Sequence, residues 1–442
     1  MARTEPDGRA GPGGPAGDAV TSGGADTPAV TASRLSVLRI ASYRWFFLGQ
    51  FTSAFGDYVV GPALAFAVLD LTGSVGDIGL VLAARTVPIV LFMLVGGVLA
   101  DRLPRHLVMI GADAARAVTQ AVTAALVLSG HAEIWQLMAL QAVHGTASAL
   151  FTPAVSGLIQ QTVPSAQLQA ANALRGMAQS AAMIAGPPAA TLLVVTAGPG
   201  WAVGADALTF VVSAVCLSRL RLSRTERVGG PAARDLVGDL RAGWREFTSR
   251  TWVWSLISAA SLTNACYAVF MVLGPALSER ELGGPGAWGA ILTAFGAGAV
   301  SGGAITLTLR PRRPLRFAVL AVSLFATPAL VMSQSSSAVP VAVAAFLGGI
   351  GLMVFNPLWE TVLQQEVPST ALSKVSAYEW LGSYAAQPFG MTLAGPAAAV
   401  LGIRRTLLAV GLSHLAIALA PLAARDVREH QVPRAVPTER KD

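Results

Sequence analysis

The feature that most constrains the fold is the recurrence of long apolar runs. A helix that crosses a bilayer needs about 20 predominantly apolar residues. Twelve stretches meet this need, and they start near Trp45, Ile78, Leu107, Ile134, Gly176, Trp201, Trp252, Gly286, Phe317, Val339, Trp380 and Thr406. Charged residues make up only 12% of the chain, about half the share usual in soluble domains. The sequence therefore predicts an all-α membrane protein with twelve transmembrane helices, in preference to a soluble protein with many buried helices.

The basic residues predict how these spans are oriented. With both termini inside, the inner segments hold 26 of the 31 Arg and Lys residues, the outer loops hold three, and two lie within spans. Such an excess is typical of cytoplasmic loops, so we expect a multi-pass protein of the cell membrane with both termini cytoplasmic. The basic residues lie between apolar runs and not on one face of a soluble domain, so we expect no nucleic-acid partner.

Polar segments divide the chain into five parts. Residues 1–40 form a Gly- and Pro-rich tail expected to be disordered, and 425–442 form a second polar tail. Residues 41–220 and 252–424 hold six spans each. The cytoplasmic loop 221–251 between them carries an amphipathic pattern, formed by Leu236, Val237, Leu240, Trp244 and Phe247. This pattern predicts a helix that lies on the membrane surface or packs under the bundle.

A repeated passage indicates how the two six-span parts are related. "FTPAVSGLIQQTVPS" starts at Phe151, and "FNPLWETVLQQEVPS" starts at Phe355. Aligned without a gap, residues 151–186 and 355–390 are identical at 12 of 36 positions. Both passages join an outward-to-inward span to the next span, so the repeat is parallel. Two six-helix bundles related by an axis along the membrane normal are an architecture of transporters.

The loop between the second and third spans, "GGVLADRLPRHLVMI", resembles motif A of the major facilitator superfamily. The matching positions are Gly97, Leu99, Ala100, Asp101, Arg102 and Arg105, whereas Pro104 and His106 replace the usual Gly and Lys. The resemblance covers about residues 41–424 and implies the major facilitator fold. It also implies that Gly97, Asp101, Arg102 and Arg105 form a gate that locks the cytoplasmic side.

Two further resemblances concern the direction of transport. "AAMIAGPPAATLL" in the fifth span is similar to a degenerate motif C of proton-driven antiporters and keeps Gly186 and Pro187, which favours export over uptake. The intramembrane Arg of motif B is missing from the fourth span. "GQFTSAFGDYVVGPALAFAVLDLTGS" and "GADALTF" resemble the drug:proton antiporter group, which includes macrolide-efflux and siderophore-export proteins.

Ionisable residues within spans need a functional or structural explanation, because burying a charge in a membrane costs several kcal/mol. Asp57, in the middle of the first span, is the first candidate to carry a coupled proton; a fixed partner for an Arg and a substrate-facing group are the alternatives. Arg85 or Arg116 could replace the missing motif B Arg, and Asp113 lies one turn before Arg116. For Asp206 we expect a structural hydrogen-bonding role.

Arg175 and Glu379 occupy the same repeat position at the inner starts of the fifth and eleventh spans. Their opposite charges predict an inner gate between the halves, with simple solvation at the interface as the alternative. A substrate path at mid-depth would be lined by polar and aromatic candidates, namely Phe51, Phe55, Tyr58, Asn264, Tyr267, Phe270, Phe355, Trp359, Trp380 and Tyr384.

These observations predict a secondary active transporter that exports a bulky, largely apolar drug or secondary metabolite by proton antiport. The alternative is a proton-coupled uptake permease for a small nutrient.

An enzyme is disfavoured, because no Walker loop, HExxH motif or credible Ser/His/Asp set is present. The two cysteines support neither a metal site nor a disulfide, and His131, His144 and His414 are expected to be satisfied core or surface groups. We expect a monomer in the lipid bilayer, with no cofactor besides the proton gradient.

Overall fold

The computed structural model describes residues 34–164, 167–220, 244–245, 248–309, 311–367 and 369–429. Within these ranges the side chains of residues 34–35, 94–102, 156, 369–374, 377, 426 and 429 are left out of the description. The described residues form helices and no strand, which confirms the predicted all-α class. We call the side of the Arg-rich loops the inner side and the opposite side the outer side.

The amino-terminal half contains six long helices after a short 3-10 turn at Arg34–Arg39. They are α1 (Ala41–Thr72), α2 (Val75–Arg102), α3 (Arg105–Ser129), α4 (Ile134–Thr162), α5 (Leu168–Ala197) and α6 (Pro199–Ser218). Gly73 and Gly130 end α1 and α3 with φ angles of 66° and 71°, a left-handed conformation that glycine adopts without the steric cost of a side chain.

The carboxy-terminal half contains six matching segments, of which two are interrupted. The segments are α7 (Thr251–Leu277, continued by a π turn to Leu282), α8 (Pro285–Thr308), α9 (Pro314–Val322) followed by α10 (Thr327–Gln334), α11 (Ala338–Glu366), α12 (Ser369–Tyr384) followed by α13 (Gln387–Leu401), and α14 (Ile403–Leu419). A short helix, α15 (Arg425–Glu429), follows.

All twelve predicted spans fall on these helical segments, although some predicted boundaries were wrong. The fifth and eleventh helical segments begin at Leu168 and Ser369, well before the predicted starts at Gly176 and Trp380. Nine segments in the described part are long and apolar enough to cross a membrane by length and composition alone. The other three are α3, α4 and the α12–α13 pair. Polar residues on α3 and α4 lower their hydropathy, and most of those on α3 are buried inside the protein.

The predicted amphipathic helix of the central loop lies almost wholly outside the described residues. Trp244 is described, and its ring packs edge-on against Tyr378 of α12 with 5.6 Å between centroids. This contact places one residue of the loop against the bundle.

The two halves approach each other closely through glycines on the outer side. On α2, a Cβ atom at Gly79 would overlap the Met391 carbonyl oxygen of α13, and a Cβ at Gly395 of α13 would overlap the backbone of Gly76. On α8, a Cβ at Gly289 would overlap the Thr191 side chain of α5.

A second α5–α8 contact lies about two helical turns further along α8, toward its middle. A Cβ at Gly296 would come within 3.0 Å of the Met183 carbonyl oxygen and 3.2 Å of the Ile184 Cα. This backbone precedes the Gly-Pro-Pro sequence of α5. These close approaches between the halves thus lie on the outer and middle portions of the helices, and they close the outer side of the structure.

The eleventh span is broken at Ala385–Ala386, between α12 and α13. Pro388 lies in the first turn of α13, and a proline there lacks the N–H that would continue the helix from α12. Two side chains of α7 supply hydrogen bonds to the break. Asn264 donates to the Ser383 carbonyl at 2.9 Å, and the Ala386 N–H donates to Ser261 Oγ at 3.2 Å. Irregular backbone at membrane depth needs such partners.

Candidate functional site

Four helices of the amino-terminal half bring its intramembrane charges together. The Arg85 guanidinium of α2 donates to Asp57 of α1, with 2.6 Å between Arg85 Nη2 and Asp57 Oδ1. Arg116 Nη1 of α3 lies 3.9 Å from the other oxygen of Asp57. The Asp57 side chain keeps 33% of its surface exposed, whereas Arg116 keeps 3%. Asp57 is thus the accessible end of a largely buried charge network.

Arg116 and Asp113 form the buried part of this network. They pair directly along α3, and Ser213 of α6 donates to Asp113 Oδ2 at 2.7 Å. The Arg116 guanidinium also lies between two aromatic rings, 4.0 Å from the centroid of Phe151 and 4.3 Å from that of Phe210. Cation–π contacts of this kind strengthen when they are desolvated.

Asp206 of α6 lies beside this network and is fully buried. Gln120 Nε2 of α3 donates to Asp206 Oδ2 at 2.7 Å, and Gln141 Nε2 of α4 donates to Gln120 Oε1 at 3.1 Å. Asp206 Oδ1 lies against Gly56 of α1, where a Cβ would overlap both this oxygen and Thr209 Oγ1. Asp206 therefore reaches the backbone next to Asp57 only because residue 56 is glycine.

His144 of α4 is a buried histidine beside the charge network. It is fully buried beside the Phe210 ring, with 5.5 Å between ring centroids. Neither ring nitrogen has a hydrogen-bond partner among the described residues. Burying an imidazole without partners carries a desolvation cost, so the expectation of a satisfied histidine stays a prediction at this position.

Several residues of the site were not singled out from the sequence, namely Gln120, Gln141 and Ser213. A usable signal was present on α3, where Asp113, Arg116, Gln120 and Thr123 follow helical spacing and are all buried. A polar stripe on a membrane helix indicates a face turned toward other helices.

The structure describes some of the motif A and motif C residues and not others. Gly186 of motif C packs against Tyr58, where a Cβ at residue 186 would overlap the tyrosine Cβ. The Arg105 guanidinium of motif A lies over Gly157 of α4. The side chains of Gly97, Asp101 and Arg102 are outside the described residues, so their role as a gate stays a prediction.

The predicted inner-gate residues lie in different halves. Arg175 borders a cleft of the amino-terminal half, lined by Val155, Ile159, Gln160, Leu168 and Asn172. The Trp359 indole lies at hydrogen-bonding distance from the Glu379 carboxylate within the carboxy-terminal half. An inner gate would form in a conformation closed on the inner side, so this pairing stays a prediction.

The predicted cavity residues differ in how accessible they are. Phe270 packs against Trp288 and keeps 4% of its surface, and Trp359 packs against Trp252 and keeps 6%. These two rings are therefore buried and do not line an open path in this structure. The remaining candidates retain partial or full exposure; they are Phe51, Phe55, Tyr58, Asn264, Tyr267, Phe355, Trp380 and Tyr384.

Two six-span halves with an intramembrane charge network define a multi-pass membrane transporter. The chain belongs to the Major Facilitator Superfamily, whose family model matches residues 46–391. It is 24% identical over 393 residues to the multidrug efflux pump Tap of Mycolicibacterium fortuitum, covering 86% of this chain and 94% of that protein. It is 21% identical over 387 residues to macrolide efflux protein A of Streptococcus pyogenes, covering 86% and 95%. These similarities confirm the resemblance to drug-efflux members of the superfamily.

Solved structures show the same fold at low sequence identity. The nucleoside transporter NupG superposes with a TM-score of 0.67 at 11% identity, covering 88% of this chain and 99% of that chain. A bacterial homologue of the human lysosomal transporter Spinster, in an inward-facing and unoccupied conformation, superposes with a TM-score of 0.68 at 15% identity, covering 92% and 100%.

Proposed function

We propose that this protein exports a bulky, largely apolar drug or secondary metabolite across the cell membrane in exchange for protons, by alternating access. The observation that carries this proposal is the Asp57–Arg85 ion pair at the accessible end of the buried charge network. An exposed carboxylate beside a buried network is suited to exchanging a proton with water, and intramembrane acids commonly form proton relays.

The position of this pair supports coupling to the substrate path. Arg85, the partner of Asp57, precedes a residue at the interface between the halves, since Thr86 donates to Met391 Sδ of α13 at 3.5 Å. A change in protonation at Asp57 would therefore act next to the surfaces that separate during alternating access.

The direction and the substrate class rest on the relatives. The two efflux proteins named above match nearly their whole length to this chain, which supports export. Aromatic side chains that stay at least partly exposed, such as Tyr58 and Trp380, suit a bulky apolar molecule.

The test is a susceptibility panel of macrolides, tetracyclines and other hydrophobic antibiotics in a host without its own efflux pumps. We expect the protein to protect cells against at least one compound. Cells with the protein should accumulate less of that compound than cells without it, and an uncoupler should remove this difference. Asp57→Asn should abolish protection, because the proton-exchanging carboxylate is lost.

Asp70→Asn is the matched control, since Asp70 lies on the same helix and is exposed. It should protect like the unmodified protein at equal membrane abundance. Uncoupler-insensitive protection would contradict proton coupling, full protection by Asp57→Asn would contradict the role of Asp57, and inward accumulation of a nutrient would favour an uptake permease.

A further inference from the structure

The charge network contains more acids than cations. It holds three carboxyl groups, those of Asp57, Asp113 and Asp206, and two guanidinium groups, those of Arg85 and Arg116. From α4 the network is faced by His144, and the described ionisable residue of α5 is Arg175, at the inner end of that helix. With His144 neutral, the network is electroneutral only when one carboxyl group carries a proton.

The two guanidinium groups are both engaged by the other two acids. Arg85 pairs with Asp57, and Arg116 pairs with Asp113 while lying 3.9 Å from Asp57. Within the described residues, no cation comes within 4 Å of the Asp206 carboxyl. Its partners are the Gln120 amide at 2.7 Å and the Thr209 hydroxyl at 3.4 Å.

Burial decides which of the three acids holds the proton. Asp57 is 33% exposed and ion-paired, and Asp113 is buried but ion-paired with Arg116. Asp206 is 0% exposed and has only neutral partners. Of these three acids, an ionised carboxylate that has no neighbouring cation costs the most free energy to bury. Protonation removes the charge and with it that desolvation cost.

We propose that Asp206 is a proton-binding site of the transporter, and that in the conformation described here its side chain is a neutral carboxylic acid. Its coupling role rests on the proposed proton antiport. During a transport cycle the O–H bond of Asp206 breaks, the proton passes to water and then to the inner side, and the resulting carboxylate accepts the Gln120 N–H.

The surroundings of Asp206 provide a path for this proton. Gly56 has no side chain to separate Asp206 from the α1 backbone beside Asp57. On the other side, Gln141 Oε1 and both nitrogens of His144 are buried polar atoms that have no hydrogen-bond partner among the described residues. Groups of this kind are commonly hydrogen-bonded by buried water, which can carry protons.

The test is infrared spectroscopy of the purified protein in lipid nanodiscs, with the carbonyl stretch of protonated carboxyl groups followed during a pH titration. We expect a band that is absent in Asp206→Asn and shifted in frequency in Asp206→Glu, which keeps the charge count. Asp70→Asn should leave the band unchanged. A band that persists in Asp206→Asn, or stays unshifted in Asp206→Glu, would overturn the proposal.

Gln120→Leu gives a second readout that leaves the acid in place. Loss of the amide donor should shift the same band, and an unshifted band would contradict the assignment even if the Asp206 variants fail to fold. Because these spectra require no transport, they are independent of the proposed function, whose failure would appear as uncoupler-insensitive export.

Discussion

Arg116 is the most deeply buried cation described in the protein, and its partners show how a membrane helix can hold one. The guanidinium is paired by Asp113, lies between Phe151 and Phe210, and approaches Asp57. Together these contacts offset a desolvation cost that neither ring nor carboxylate would offset alone.

Removing one member of this pair should destabilise the protein strongly. Asp113→Ala leaves Arg116 buried, with Asp57 at 3.9 Å as its remaining acidic neighbour. Breaking a buried ion pair costs about 3–5 kcal/mol. We expect a clearly lower melting temperature in detergent, measured with a thiol-reactive dye that reports exposure of the buried Cys216.

The double variant Asp113→Leu/Arg116→Leu is the control, because it removes both charges and should recover most of the lost stability. An Asp113→Ala variant as stable as the parent would show that the pair does not compensate the buried guanidinium.

At the scale of single residues, the sequence predicted the charged members of the site better than the neutral ones. Charges within spans are rare and costly, which identified Asp57, Arg85, Asp113 and Arg116. The structure brings these four together, while their roles remain proposals. Amides and hydroxyls such as Gln120 and Ser213 occur commonly in membrane helices, so only their contacts in three dimensions reveal them.

Among the helices, glycines set how closely the two halves approach. Gly79 of α2 lies against the Met391 backbone of α13, and Gly395 lies against Gly76. Small residues at helix interfaces permit such approach in membranes. These contacts close the outer side of the structure.

A larger residue at this contact should open the outer side. Gly79→Leu would clash with the backbone of α13, which cannot move aside as a flexible side chain can. We expect the distance between spin labels on the outer ends of α2 and α13 to increase, with a larger share of outward-open molecules.

Gly111→Leu on α3 is the matched control, since a Cβ at Gly111 would meet no atom within 4 Å. It should leave the distance distribution unchanged. An unaltered distribution in Gly79→Leu would show that this contact does not hold the outer side closed.

The positions of the helices were predictable from apolar runs, but their interruptions were not. The eleventh span reads as one apolar segment, yet the helix is interrupted before Pro388. Asn264 and Ser261 of α7 stabilise this interruption, because they bond to the freed backbone groups. Those partners are more than a hundred residues away in the chain, so hydropathy alone does not contain this information.

For the whole molecule, the parallel repeat predicted two homologous six-span halves, and the superfamily match and the neighbouring folds confirm that architecture. The conformation was beyond prediction from sequence. An alternating-access transporter must encode contacts for both its inward-open and its outward-open states, and the sequence does not say which set is formed.

The most direct test of the account is transport in everted membrane vesicles, using the compound that gives the greatest protection in the susceptibility panel. An imposed pH gradient, acid inside, should drive accumulation of the compound inside the vesicles. An uncoupler or Asp57→Asn should prevent it, whereas Asp70→Asn should not. Accumulation that is indifferent to the pH gradient, or movement of the compound in the opposite direction, would contradict proton-coupled export.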